Sequence, residues 1–233
     1  MISSNEKKQC LNLGLTPGGS RNSSLPSYII QLKKLDTSLT GRIIDLQFLH
    51  SYYEPTLFIL CESSRTWVGR VAVKKDTCCS VALSINVAQK SNPVIWPVDK
   101  LPYDCWSCLP VPKPIGGILV LATNSIIYLN QSIPSYGVAL NTLTRESTKY
   151  PLRPLYDLKI ALDAAETMFI ANDRVLISIK TGDVYLLTLH TDTMRTMKEF
   201  TFDRIGSTVL CSCVSRMRRI LMCLFVCFLV VQM

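Results

Sequence analysis

Histidine is almost missing from this chain of 233 residues: only His50 and His190 occur. That scarcity removes most histidine-based acid–base, nucleophilic and zinc chemistry. Neither histidine has a zinc-site spacing to Cys105-Trp106-Ser107-Cys108, and a structural zinc needs four ligands. Cys211-Ser212-Cys213 has one intervening residue, not two. The cysteines therefore read as packing residues, and no metal, cofactor or catalytic residue is assigned. His50 stands near Asp45 and Glu54, but in a turn-rich segment where hydrogen bonding is the simpler role. No G-x-S-x-G, H-E-x-x-H or P-loop is present. Gly116-Gly117 follows Pro112-Lys113-Pro114-Ile115 and lacks the dinucleotide-binding spacing, so it reads as a loop entering a strand. The chain is not expected to be an enzyme.

Charge is also sparse, at 18% of residues. The formal net charge is +8, of which the first 24 residues carry +2 and the last 22 carry +3, leaving +3 for the body. A body so nearly balanced gives little electrostatic reason to bind nucleic acid. Basic pairs occur at Lys33-Lys34 and Lys74-Lys75, with aromatics at Tyr52, Tyr53, Trp67, Trp96, Tyr103 and Trp106. These read as solvated turns and buried strand residues rather than as a stacking groove. Residues 1–24 are polar and lack the apolar stretch of a signal peptide. Ten cysteines, clumped and mostly inside apolar runs, then indicate a reducing compartment.

What the sequence has in quantity is short apolar segments divided by turns. Strands are expected at Ile43–Leu49, Thr56–Cys61, Trp67–Lys74, Ser80–Ala88, Gly117–Ala122, Ser125–Asn130 and Gly137–Leu143. Further strands are expected at Lys159–Asp163, Thr167–Ala171, Arg174–Lys180 and Asp183–His190. Asn124-Ser125, Asn172-Asp173 and Thr181-Gly182-Asp183 supply hairpin turns. Strand–turn–strand units recur roughly every 50–60 residues, as in propeller blades. The same hairpins also suit a β-sandwich. The expected organisation is a polar linker over 1–24, a partial WD40-like β-propeller of about four blades over 25–210, and a divergent tail over 211–233. In that tail Arg216, Arg218 and Arg219 precede the apolar run Ile220–Val231. A dozen apolar residues fall short of the roughly 20 that a spanning helix needs. The tail reads as sequence foreign to the repeat, such as translated intron or a shifted frame. A membrane anchor is the alternative.

Several strings are long and unusual. LPSYIIQLKKLD, IIDLQFLHSYYEPTLFIL, TWVGRVAVKKDTC, NPVIWPVDKLPYDC, VPKPIGGILVLATNSIIYLNQSIPSYGVALNTLT and VLISIKTGDVYLLTL follow in one order. Together they resemble the N-terminal propeller region of the largest subunits of the cleavage and polyadenylation specificity factor. Those subunits belong to a wider family of triple-propeller scaffolds. The resemblance runs from about Leu25 to about Leu210. It implies a nuclear scaffold of pre-mRNA 3′-end processing, holding a WD-repeat and a zinc-finger reader against the AAUAAA signal. Direct binding of pre-mRNA is the alternative activity, and the implied cleavage nuclease is a different subunit. The family chain is several times longer, so a piece truncated at both ends is expected. Cys108 is not characteristic of the family position, which weakens any metal role further.

Overall fold

The computed structural model describes residues 29–35, 41–62, 69, 73–86, 88–155 and 158–207. The expected strand Trp67–Lys74 and the whole tail over 211–233 lie mostly or wholly outside those residues. The described chain is all-β apart from two four-residue helical turns.

Three sheets follow one another along the chain. The first contains β1 (Arg42–Leu49), β2 (Thr56–Glu62), β3 (Cys78–Ser84) and β4 (Val94–Leu101), paired in that order. The second contains β5 (Cys105–Pro110), β6 (Ile118–Ala122), β7 (Ser125–Leu129), β8 (Tyr136–Ala139) and the two-residue β9 (Arg153–Pro154). The third contains β10 (Glu166–Ala171), β11 (Arg174–Ser178), β12 (Asp183–Thr191) and β13 (Met197–Ser207). Every pairing is antiparallel except β8 with β9. Helix α1 (Leu32–Leu35) precedes the first sheet, and α2 (Thr144–Ser147) lies between β8 and β9.

Each sheet is a meander blade, and the blades stack face to face. Alternation along β2 sends Phe58 and Leu60 toward the second blade and Leu57, Ile59 and Cys61 toward the opposite face. Ile30, Leu32 and Leu35 pack on that opposite face. The middle blade is buried on both sides. Ile118, Val120, Ala122, Ile127 and Leu129 face the first blade, and Leu119, Leu121, Ile126 and Tyr128 face the third. Its central strands therefore read as continuous apolar runs rather than as an apolar–polar alternation.

The roughly four blades estimated from repeat length become three sheets among the described residues. Blades with long connections use more chain than the repeat estimate assumed. Strand β2 lies between β1 and β3. Lys159–Asp163 is a loop, held by Ile160 N donating to the Leu140 carbonyl and Leu162 N to the Thr123 carbonyl. Strands β4, β5 and β13 were not expected. Strand β4 contains Pro97, tolerated because β4 is the outer strand and needs no donor on its free side. The turn after Val111 depends on glycine: Gly117 has φ +80°, and a Cβ there would lie 2.6 Å from the Leu129 carbonyl oxygen and 2.9 Å from the Tyr128 hydroxyl. Tyr128 donates that hydroxyl to the Gly116 carbonyl at 2.9 Å, closing the loop over the strand.

Candidate functional site

Among the described residues, those singled out in the sequence form no catalytic or metal-binding group. His50 is exposed and carries no described polar contact near Asp45. Asp45 is instead spent on structure. Its Oδ2 accepts from the Cys108 amide at 2.7 Å and from the Ser107 hydroxyl at 3.0 Å, joining β1 to β5. Its Oδ1 accepts from the Leu46 amide at 2.8 Å. Glu54 accepts from Asn86 Nδ2 at 3.2 Å and from the Ser84 hydroxyl, tying the β1–β2 turn to the end of β3.

Cys105 and Cys108 sit three apart on one strand, where they would ordinarily face opposite sides. A bulge at Cys105/Ser107 turns both toward the seam between the first two blades, beside Cys78. A hydrogen bond with Cys78 and burial push the Cys105 thiol well up; burial, then the Asp45 charge, do the same to Cys108. Thiols so held are poor nucleophiles and poor metal ligands. Among the described residues no group of three potential ligands is placed to hold a metal ion.

The aromatics scatter too. Trp96 is buried, packs 5.6 Å from Phe58 and donates its Nε1 to the Tyr52 hydroxyl at 2.9 Å. Burial raises the Tyr52 phenol. Trp106 packs on the other seam, whereas Tyr53 stands fully exposed. Side chains of Lys33, Lys34 and Trp67 lie outside the described set. Among the described residues no helix is long and apolar enough to cross a membrane.

A concavity does form where sequence reading found nothing, at the outer edge of the middle blade. It is a cavity of about 500 Å³ lined by α2, β9 and, beyond β9, Leu155, Leu158 and Lys159. Its frame is rigid. Asn141 Nδ2 donates to Asn124 Oδ1 at 2.8 Å and to the Ile160 carbonyl at 2.9 Å. Thr144, 4% exposed, donates to the Asn124 and Asn141 carbonyls at 3.0 and 2.8 Å. Thr148 donates to Asp76, and the Lys149 amide reaches the other oxygen of Asp76 at 3.1 Å. Beside it Gly137 leaves room for Leu152, whose Cδ2 would lie 2.5 Å from a Cβ at that position. Arg153 stacks its guanidinium 4.7 Å over Tyr136 and donates to the Lys198 carbonyl at 3.4 Å, linking this edge to the third blade. The sequence signal was a run of cations, Arg145, Lys149, Arg153 and Lys159, interleaved with Leu152, Leu155 and Leu158.

Stacked meanders, four-stranded in the first and third blades and extended by β9 in the middle one, define a β-propeller-type fold. The chain belongs to the RSE1/DDB1/CPSF1 first beta-propeller family, whose model matches residues 9–226. That match is wider than 25–210, taking in part of the polar start and part of the tail. Relatives are found in animals, plants and fungi. The chain is 49% identical over 84% of its length to the cleavage and polyadenylation specificity factor subunit 1 of Drosophila melanogaster. It is 44% identical over 70% of its length to the protein of the same name from Arabidopsis thaliana, and 32% over 73% to Protein CFT1 of Yarrowia lipolytica. It spans 13%, 11% and 14% of those relatives' own lengths.

Proposed function

We propose that the chain acts as part of a scaffold in the nuclear cleavage and polyadenylation machinery. In this reading its propeller region helps hold the WD-repeat and zinc-finger subunits that read the AAUAAA signal. The carrying observation is the 49% identity to a cleavage and polyadenylation specificity factor subunit over most of the chain. The fold supports the same reading. Packed blades place loops at their edges, and no catalytic constellation forms among the described residues, which suits organising partners better than turning over a substrate. The scatter of Tyr52, Trp96 and Trp106 into the two seams favours protein contacts over direct binding of RNA.

The test is affinity purification of the full-length protein containing this region from nuclear extract. Mass spectrometry then scores other cleavage and polyadenylation subunits. Their recovery after nuclease treatment is the expected result. Recovery only while RNA is intact would shift the role to RNA binding, and no recovery would overturn the scaffold reading.

A further inference from the structure

Strand alternation separates the two adjacent cysteines at the start of β3. Cys78 faces the seam that holds Cys105 and Cys108, whereas Cys79 points to the other face of the first blade, among Leu57, Ile59, Val81 and Leu83. Cys61, on the neighbouring strand β2, points the same way as Cys79. Cys61 and Cys79 are direct partners in the antiparallel register, and their Sγ atoms lie 3.2 Å apart. Both stand as thiols. Antiparallel partners hold their Cα atoms roughly 4.5–5.5 Å apart, within the roughly 4.4–6.8 Å that a disulfide spans. Bringing the sulfurs to bonding distance takes a side-chain movement of about an ångström and no change of register.

The surroundings select one product. Strands β2 and β3 pair from Thr56↔Ser84 to Glu62↔Cys78 without a bulge, so the register sets Cys61 opposite Cys79 and turns Cys78 away. The pair is buried, with Cys61 0% and Cys79 3% exposed. An external oxidant therefore meets it when this end of the strand pair opens, and re-pairing brings the second sulfur back to the first. In a reducing compartment the dithiol is the resting form.

We propose that Cys61 and Cys79 form a redox-modified pair, which closes to a cross-strand disulfide when a disulfide oxidant such as oxidised glutathione is in excess. One cysteine, as its thiolate, attacks a sulfur of the oxidant and expels a thiolate. The second cysteine then attacks the sulfur now bonded to the first and expels the other thiolate. The two cysteine sulfurs lose two electrons and gain one S–S bond, the S–S bond of the oxidant is reduced, and the two cysteine protons end on its two thiols. The new bond ties together the two central strands of the first blade.

The test is oxidation of the 233-residue chain by oxidised glutathione, in native buffer and separately in denaturant. The remaining thiols are blocked with N-ethylmaleimide before trypsin digestion and mass spectrometry. Trypsin leaves Cys61 in the peptide 43–65 and both Cys78 and Cys79 in 76–90, and fragmentation shows which of the two carries the blocking group. In native buffer Cys61 links to Cys79 at least about tenfold more than to Cys78. In denaturant that preference collapses, because the two cysteines differ by one position along the chain. Dithiothreitol returns both thiols. Cys78→Ser keeps the link, and a loss of the link in that variant, with a wild-type melt, would overturn the proposal. So would a native product in which Cys61 is unlinked, is linked equally to Cys78 and Cys79, or is linked chiefly to another cysteine. The wild-type map decides the matter alone if the variant does not fold.

Discussion

The two seams between blades are built from different materials. The seam between the first and second blades holds Cys78, Cys105 and Cys108 with medium aliphatics, and the Asp45 carboxylate clasps it at the inner edge. The seam between the second and third blades has no cysteine among its described core residues. It is filled by branched aliphatics and Met197, and closed at the outer edge by Tyr136 against Phe200, 4.9 Å apart and edge to face. One seam is registered by a charge and small thiols, the other by ring shape. A directional polar clasp fixes which strand lies against which; apolar bulk supplies most of the free energy but little registry.

That contrast can be broken at several points. The largest effect is expected from Phe200→Ala in the second seam. It removes a ring that is 1% exposed together with its edge contact to Tyr136, a loss of about 3–5 kcal/mol. Chemical denaturation of the purified chain measures it, and a loss below about 1 kcal/mol would mean that the seam is not packed as described. Asp45→Ala comes next, at about 1–3 kcal/mol, because the Cys108 amide loses its acceptor. Asp45→Asn keeps an acceptor oxygen and should recover most of that loss. Equal loss in both variants would show that charge, not hydrogen bonding, registers the first seam.

Smaller effects sharpen the picture of the first seam. Asp104 precedes Cys105, and its carboxyl is raised above the ordinary value chiefly by burial. Its Oδ1 is buried with no hydrogen-bond partner, while Oδ2 accepts from the Asn124 amide and side chain. A raised folded-state value means that the folded chain holds the proton more tightly than the unfolded chain. Stability therefore falls as pH rises from the ordinary carboxylate range through the raised value, and the cost is complete above it. Asp104→Asn should raise the melting temperature by a few degrees at pH 7, with the gain vanishing toward acid. A gain that persists at low pH would rule out ionisation as its cause. The smallest perturbation is chemical. Cys105 and Cys108, buried and shifted up, should alkylate far more slowly in the folded chain than in denaturant. Pulsed labelling with mass spectrometry checks this, and rapid labelling in native buffer would mean that the seam opens.

Much of the fold was legible because its central strands carry uninterrupted signals. Ser125–Leu129 and Arg174–Ser178 are apolar runs bounded by short turns, and both formed where the turns placed them. The edges were harder to read. Strand β4 hides behind Pro97, β5 loses its alternation at the Cys105/Ser107 bulge, and β13 mixes charged and apolar residues because its outer side is unpaired. Lys159–Asp163 has strand composition but no strand beside it to pair with. The cavity was illegible for another reason. Its cations are ordinary surface residues until Asp76, more than 70 positions earlier, pins Thr148 and Lys149 in place. No local window contains both halves of that contact.

Every named strand pairs with its neighbour in sequence, and the one close approach of a blade's first strand to the next blade, β1 to β5, also joins consecutive units. Among the described residues each strand therefore finds its partners in the strands next to it in sequence. As it leaves the ribosome, the first meander can close on contacts already made. The second then arrives to cover the Phe58–Leu60 face, and the third covers the Tyr128 face. The described topology thus permits assembly in the order of translation, each blade offering a face against which the following one packs.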